Sequence, residues 1–147
     1  MNNKFMDLAF FYANKALFND EVPIGAVIVK NNKVIAFGYN NKEKTNSVFG
    51  HAEINAIKDA QIFLNNWRLE DCDIYITLDP CPMCASAIKQ SRIKNVYSAL
   101  SNSDPSNTNI IKAIFDSDST NPSVNFFTNL DVEKSKSLLS SFFESKR

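Results

Sequence analysis

Apolar residues recur at helical spacing from about residue 3 to 18, with Met6, Ala9, Phe10, Ala13 and Leu17 on one side, which predicts an amphipathic first helix. Asn19-Asp20-Glu21 breaks the pattern. Pro23 then precedes a β-branched run at 24–29, and Asn31-Asn32 separates it from a second run at 34–39. Residues 23–39 therefore predict a hairpin whose tight loop suits asparagine at positive φ. A polar loop at 40–47, too short for an inter-domain linker, leads to His51, which begins a second helix. Ile54, Ile57 and Leu64 mark its apolar side and Asn65-Asn66 ends it. Residues 67–70 connect to a stretch of strict alternation at 71–78, where Cys72, Ile74, Ile76 and Leu78 face one way and Asp73, Tyr75 and Thr77 the other. That period of two is a strand.

Beyond it the pattern predicts a helix at about 82–90, a short strand at 95–99, a loop at 101–109, a short helix at 110–115, a polar loop at 116–123 and an edge strand at 124–128. A closing helix carries Val132, Leu138, Leu139, Phe142 and Phe143 on one side, with Thr128 and Asp131 at capping-box spacing ahead of it. Lys134, Lys136, Lys146 and Arg147 read as its solvated basic face, with an RNA contact as the second reading. No repeat of fixed period is present. Strands alternating with helices predict an α/β layered fold, with one antiparallel hairpin and a parallel portion built by helical crossovers.

At 147 residues the chain has the length of one ordinary domain, so residues 1–147 are expected to form a single domain. Its 16 basic and 16 acidic residues balance, so no global field advertises a polyanionic partner and none is excluded. The longest apolar run, near 24–29, falls far short of the roughly 20 residues that span a bilayer, and the one at 8–13 is too short for a signal-peptide core. No membrane segment is expected, and the protein reads as cytoplasmic. Three cysteines, two of them closely spaced, suit metal or redox chemistry in a reducing compartment better than a disulfide framework.

Those two are Cys81 and Cys84, which lie at the end of the predicted strand and the start of a predicted helix. Pro82 suits the first helical position, so Cys81 falls near the N-cap and Cys84 in the first turn, on one face. The helix N-terminus favours thiolates. A Cys-x-x-Cys pair alone is ambiguous among a redox dithiol, a structural zinc site and a catalytic one. His51, the only histidine, begins a helix one βα unit earlier, where the helix dipole disfavours the protonated ring that cannot bind metal. A closed structural site would need Cys72 as well, but an extended 72–78 spans roughly 20 Å at ~3.3 Å per residue, which puts Cys72 at the far end of the strand. It reads as a small buried apolar residue.

His51-Ala52-Glu53 followed by Pro80-Cys81-Pro82-Met83-Cys84 resembles the signature of the zinc-dependent base deaminases. Val22-Pro23-Ile24-Gly25-Ala26-Val27, Thr77-Leu78-Asp79-Pro80, Ser91-Arg92-Ile93 and Leu139-Ser140-Ser141-Phe142-Phe143 resemble, in order, motifs of the bacterial tRNA-specific adenosine deaminases within the cytidine deaminase superfamily. The resemblance implies a three-layer α/β/α sandwich around a mixed five-stranded sheet, a homodimer, one zinc ion per chain, and conversion of adenosine to inosine at the wobble position of a tRNA anticodon stem-loop. His51, Cys81 and Cys84 would hold the zinc and leave its fourth position for a water whose pKa the metal lowers. Glu53 would carry protons from that water to the ring nitrogen and the departing amine. Asn40 stands where the family hydrogen-bonds the flipped base, and the Ala52 backbone, Pro23 and Ile24 would line the base pocket.

The chain departs from the family in two places. Asp79 stands where a glutamate is usual, and Leu100-Ser101-Asn102-Ser103-Asp104 lacks the Arg-Asp pair expected after the fourth strand, unless Asp104 replaces its aspartate. Lys42, Lys44, Arg92 and Lys94 are candidate phosphate contacts whose ordinary reading is solvated surface. Two readings compete with tRNA deamination. A deaminase of a free base or nucleoside, guanine or cytidine, would use the same zinc and Glu53 with different pocket walls, and a zinc-stabilised RNA-binding module would bind without chemistry.

Overall fold

In the computed structural model, residues 3–117 and 122–146 are described. The predicted Arg147 contact and the middle of the loop at 116–123 lie outside them.

The first helix, α1 (Asn3–Phe18), buries Phe5, Met6, Ala9, Phe10, Ala13 and Ala16, the expected stripe with Phe5 and Ala16 added and Leu17 only half-buried. β1 (Gly25–Lys30) and β2 (Lys33–Tyr39) pair antiparallel. Asn31 and Asn32 both adopt positive φ, 52° and 62°, as a primed hairpin turn requires. The register shifts between Ile28 and Val29. α2 (Lys42–Thr45) then forms a single turn inside the stretch expected to be plain loop. It buries nothing, so no apolar period announced it. α3 (Ala52–Leu64) has His51 as its N-cap and Asn65 in the left-handed conformation at its end.

β3 (Cys72–Ile76) pairs antiparallel with β1. α4 (Pro82–Gln90) crosses to β4 (Asn95–Ser98), and α5 (Pro105–Asp116) crosses to β5 (Asn125–Phe127), both new pairings being parallel. The chain ends in α6 (Val132–Ser145). The five-stranded order is β2-β1-β3-β4-β5.

Two corrections concern helix starts. α5 begins at Pro105, not near residue 110: Pro105 takes the first turn and the Asp104 carboxylate accepts the Ser106 N–H at 2.9 Å. Asp104 is thus a helix cap, and the Ser/Asn-rich composition disguised a capped start. The capping box ahead of α6 does not form, because the helix starts at Val132 with Asp131 as its N-cap, which leaves Thr128 outside it, and Asp131 makes no side-chain cap bond. Thr128 instead donates its hydroxyl to Asp79 at 2.6 Å.

The core has two halves, one on each face of the sheet. Ala52, Ala56 and Ala60 of α3, Ala85 and Ile88 of α4, and Ile111 and Phe115 of α5 pack with Ile28, Ile74, Ile76 and Val96 on one side. On the other, α1 and Leu138 of α6 cover Val27, Val29 and Tyr75. β3 therefore alternates as predicted, and the expected α/β/α layering is observed. No described helix is long and apolar enough to cross a membrane.

Candidate active site

Two helix starts meet at the carboxyl end of β3. His51 and Cys81 are the N-caps of α3 and α4, each with extended backbone, and Cys84 lies in the first turn of α4. Their spacing in the chain hides their proximity in space. His51 Nδ1 lies 3.7 Å from Cys81 Sγ and 3.4 Å from Cys84 Sγ, and the three donor atoms fall within 4.8 Å of one another. Zinc held tetrahedrally at ~2.3 Å from sulfur and ~2.0–2.1 Å from nitrogen sets sulfur-to-nitrogen edges of ~3.6 Å, between the two observed values. The donors fit that ion.

The electrostatics agree. A hydrogen bond from the Cys84 thiol, outweighing burial, pulls Cys81 down to about 5, towards thiolate. Cys84 is raised by the same contact, by burial and by nearby Glu53. Two adjacent sulfurs cannot both ionise in a dry pocket unless a cation stands between them. Glu53, in the first turn of α3, is 4% exposed, and burial pushes it up to about 7 with help from the Cys81 charge. Hydrogen bonds from its own backbone and from Cys84 oppose that rise.

Helix α3 reaches this position because β2 makes room for it. A Cβ on Gly38 would stand 2.2 Å from the Ala52 carbonyl oxygen and 2.6 Å from the Ala56 nitrogen. The turn that delivers Cys81 is tied from several sides: Thr77 exchanges bonds with Gly25, and Asp79 N–H donates to Leu100 O at 2.9 Å. Ser135 of α6 donates to Thr77 O. Asp79 is buried with Oδ1 bonded to Thr128, while its Oδ2 has no partner among the described residues.

The four residues expected around the base also converge. Asn40 Oδ1 accepts the Ala52 N–H at 2.9 Å, and Asn40 N–H donates to Ile24 O at 3.2 Å, with Pro23 buried next to it. The first bond fixes the amide orientation and leaves Nδ2 as a donor. It also commits the Ala52 N–H. A cleft of about 820 Å³ opens beside Asn40, walled by Glu21, Lys42, Lys44, Phe142 and Lys146. Arg92, by contrast, lies 5.3 Å from the Trp67 ring, which also carries Arg68 at 4.4 Å. Cys72 stands apart, buried at the opposite end of β3.

Sequence reasoning gave no role to Glu21, Asn55 and Ser135 and assigned Thr128 the wrong one. Asn55 Nδ2 bridges Tyr39 O and Asn41 Oδ1 at 3.0 Å each. These residues act through main-chain or distant partners, which no local spacing reveals.

Residues 1–100 match the model of the cytidine and deoxycytidylate deaminase zinc-binding region. The chain is 38% identical over 137 residues to a tRNA-specific adenosine deaminase of Rickettsia bellii, covering 92% of this chain and 94% of that protein. It spans only 7% of the chloroplastic tRNA(adenine(34)) deaminase of Arabidopsis thaliana, to which it is 46% identical over 92 residues. A solved tRNA:A34 deaminase, described as carrying out A-to-I editing at the wobble position of transfer RNA, superposes with a TM-score of 0.84 at 35% identity, over 94% of this chain and 100% of that one. Guanine deaminase from Bacillus subtilis superposes at 0.68 with 34% identity, over 86% and 85% of the two chains. The zinc-shaped triad lies inside the matched region, and the likeness to deaminases runs nearly end to end: the chain belongs to the cytidine and deoxycytidylate deaminase family.

Proposed function

We propose that this protein hydrolytically deaminates adenosine to inosine at the wobble position of a tRNA anticodon stem-loop. The observation that carries the reading is a His-Cys-Cys donor set of zinc dimensions with a buried carboxyl, Glu53, in the first turn of the helix that His51 caps. The relatives support the choice of substrate.

His51, Cys81 and Cys84 would hold one zinc ion, which supplies the Lewis acidity that makes a water nucleophilic near neutral pH. Three protein donors would leave room for that water. Glu53, raised towards neutrality by burial, takes a proton from the water as its oxygen adds to C6 of the base. It delivers that proton to N1, then carries the second to the exocyclic nitrogen as the C6–N bond breaks and ammonia leaves. Asn40 Nδ2 donates to the extruded base, while Pro23, Ile24 and the Ala52 backbone wall its pocket. Lys42 and Lys44, beside the cleft, would meet phosphates. The protein acts in the cytoplasm, where its free thiols persist, as a homodimer for which Ile62 and Phe63 of α3, 77% and 67% exposed, offer apolar surface.

A second reading, deamination of free guanine, is favoured by the likeness to guanine deaminase and by the absence of the expected arginine after Ala99. Purified zinc-loaded protein incubated with anticodon stem-loop RNA, with guanine and with free nucleosides, followed by mass spectrometry for inosine and an ammonia assay, separates the readings. Inosine in the RNA is expected. Turnover of guanine alone would replace the first reading with the second, and no turnover would remove both. Glu53→Ala should keep one zinc per chain while kcat falls by roughly 10²–10⁴-fold. Loss of zinc in that variant would instead make Glu53 a ligand.

A further inference from the structure

Asn40 stands at the mouth of a loop, 40–51, whose body has no apolar anchor. α2 buries no residue, and Val48 and Phe49 are exposed. The neck is closed at the site itself, by Ala52 N–H on Asn40 Oδ1 and by Asn41 N–H on Gly50 O at 3.0 Å. Among the described residues, the hydrogen bonds of 42–49 stay within 41–51, with one exception. Glu43 N–H donates to Glu21 Oε1 at 3.0 Å and Lys44 N–H to Glu21 Oε2 at 2.8 Å.

Glu21 is an unusual anchor. It is 3% exposed, and its two carboxylate oxygens are each taken by a main-chain N–H. Charge-assisted bonds of this kind are about twice as strong as neutral ones. Glu21 also directly precedes Val22, Pro23 and Ile24, and the Ile24 carbonyl accepts the Asn40 N–H at 3.2 Å. One residue thus ties the loop carrying Asn40 to the strand entry that walls the proposed base pocket.

We propose that Glu21 is a positioning residue: by clamping the main chain at Glu43 and Lys44 it holds loop 40–51, and with it the Asn40 amide, in register with the zinc site. The catalytic half of this inference rests on the functional reading above, while the clamp stands on geometry alone. A carboxylate is required because two N–H donors need two acceptors. Glutamine offers one oxygen and turns an NH2 towards the other donor, and aspartate is a methylene too short to reach both.

Glu21→Gln tests this at nearly constant volume and burial. Hydrogen exchange followed by NMR should show the Glu43 and Lys44 amides protected in the wild type and exchanging at least about tenfold faster in the variant. Equal exchange would overturn the clamp. With zinc still at one per chain, kcat/KM on the stem-loop should fall about tenfold, mainly through KM. Because the effect runs through Asn40, adding Glu21→Gln to Asn40→Ala should cost nothing further. A multiplicative loss in the double variant would overturn the positioning role. Glu21→Asp should reproduce the Glu21→Gln pattern. If the wild type deaminates neither RNA nor free base, the functional reading fails while hydrogen exchange still decides the clamp.

Discussion

A fourth protein ligand would close the metal site, and Cys72 is the one remaining thiol in the chain. It lies at the start of β3, while Cys81 follows that strand's other end, and its Sγ is 3.7 Å from Glu70 O. Burial raises its pKa, which keeps it a thiol and a poor ligand. Cys72→Ser should therefore leave zinc at one per chain by elemental analysis, while urea denaturation shows a loss of roughly 1–3 kcal/mol for burying a hydroxyl in an apolar setting. A fall in zinc content would mean the site is closed and structural. His51, Cys81 and Cys84, whose donor atoms lie within 4.8 Å of one another, were legible as a metal set through the resemblance to the base-deaminase signature. Glu21 was not. Its partners are main-chain groups 22 and 23 residues on, and an acid after Asn19-Asp20 reads as surface punctuation. Thr128 was read as a cap because its spacing to Asp131 is right, yet Asp79, 49 residues away, competes for its hydroxyl and wins.

At the scale of elements, two glycines let helices lie flat on the sheet. α1 crosses Gly25, where a Cβ would stand 2.0 Å from the Ala9 carbonyl oxygen, and α3 crosses Gly38 in the same way. The atoms they would meet are backbone, which cannot rotate aside. Gly38→Ala should push the first turn of α3 outward and cost at least about 1–3 kcal/mol, the range for overpacking a core. That turn carries Glu53 and follows His51, so zinc affinity and kcat should fall together, readable by competition with a chelating dye and by the inosine assay. Unchanged zinc binding would mean that α3 reaches the metal independently of β2. The elements built on a clear period, α1, the hairpin, α3, β3 and α4, were legible within a residue or two. α2 and the first turn of α5 were not. The former exists through hydrogen bonds alone, and the latter starts on Asp104-Pro105, a valid start signal outweighed by the polar residues around it.

For the whole molecule, the question is whether zinc builds the fold or only arms it. The layered architecture followed from the alternation of periods along the chain, whereas the strand order β2-β1-β3-β4-β5 depends on pairings that no local pattern specifies. The metal donors bridge the starts of α3 and α4, yet both helices already share one apolar cluster with β1, β3, β4 and α5. None of the three donors belongs to that cluster, unlike a zinc finger, where metal binding is the folding free energy. Zinc should then stabilise only by mass action, about 4 kcal/mol at a free concentration 1,000 times its Kd. At ~2–4 °C per kcal/mol for a chain of this size, stripping the metal should lower Tm by roughly 8–16 °C. Far-UV circular dichroism at 20 °C should be unchanged, deamination should vanish, and added zinc should restore both activity and Tm. Unfolding on chelation would make the ion part of the core. Retention of full activity would remove it from the chemistry.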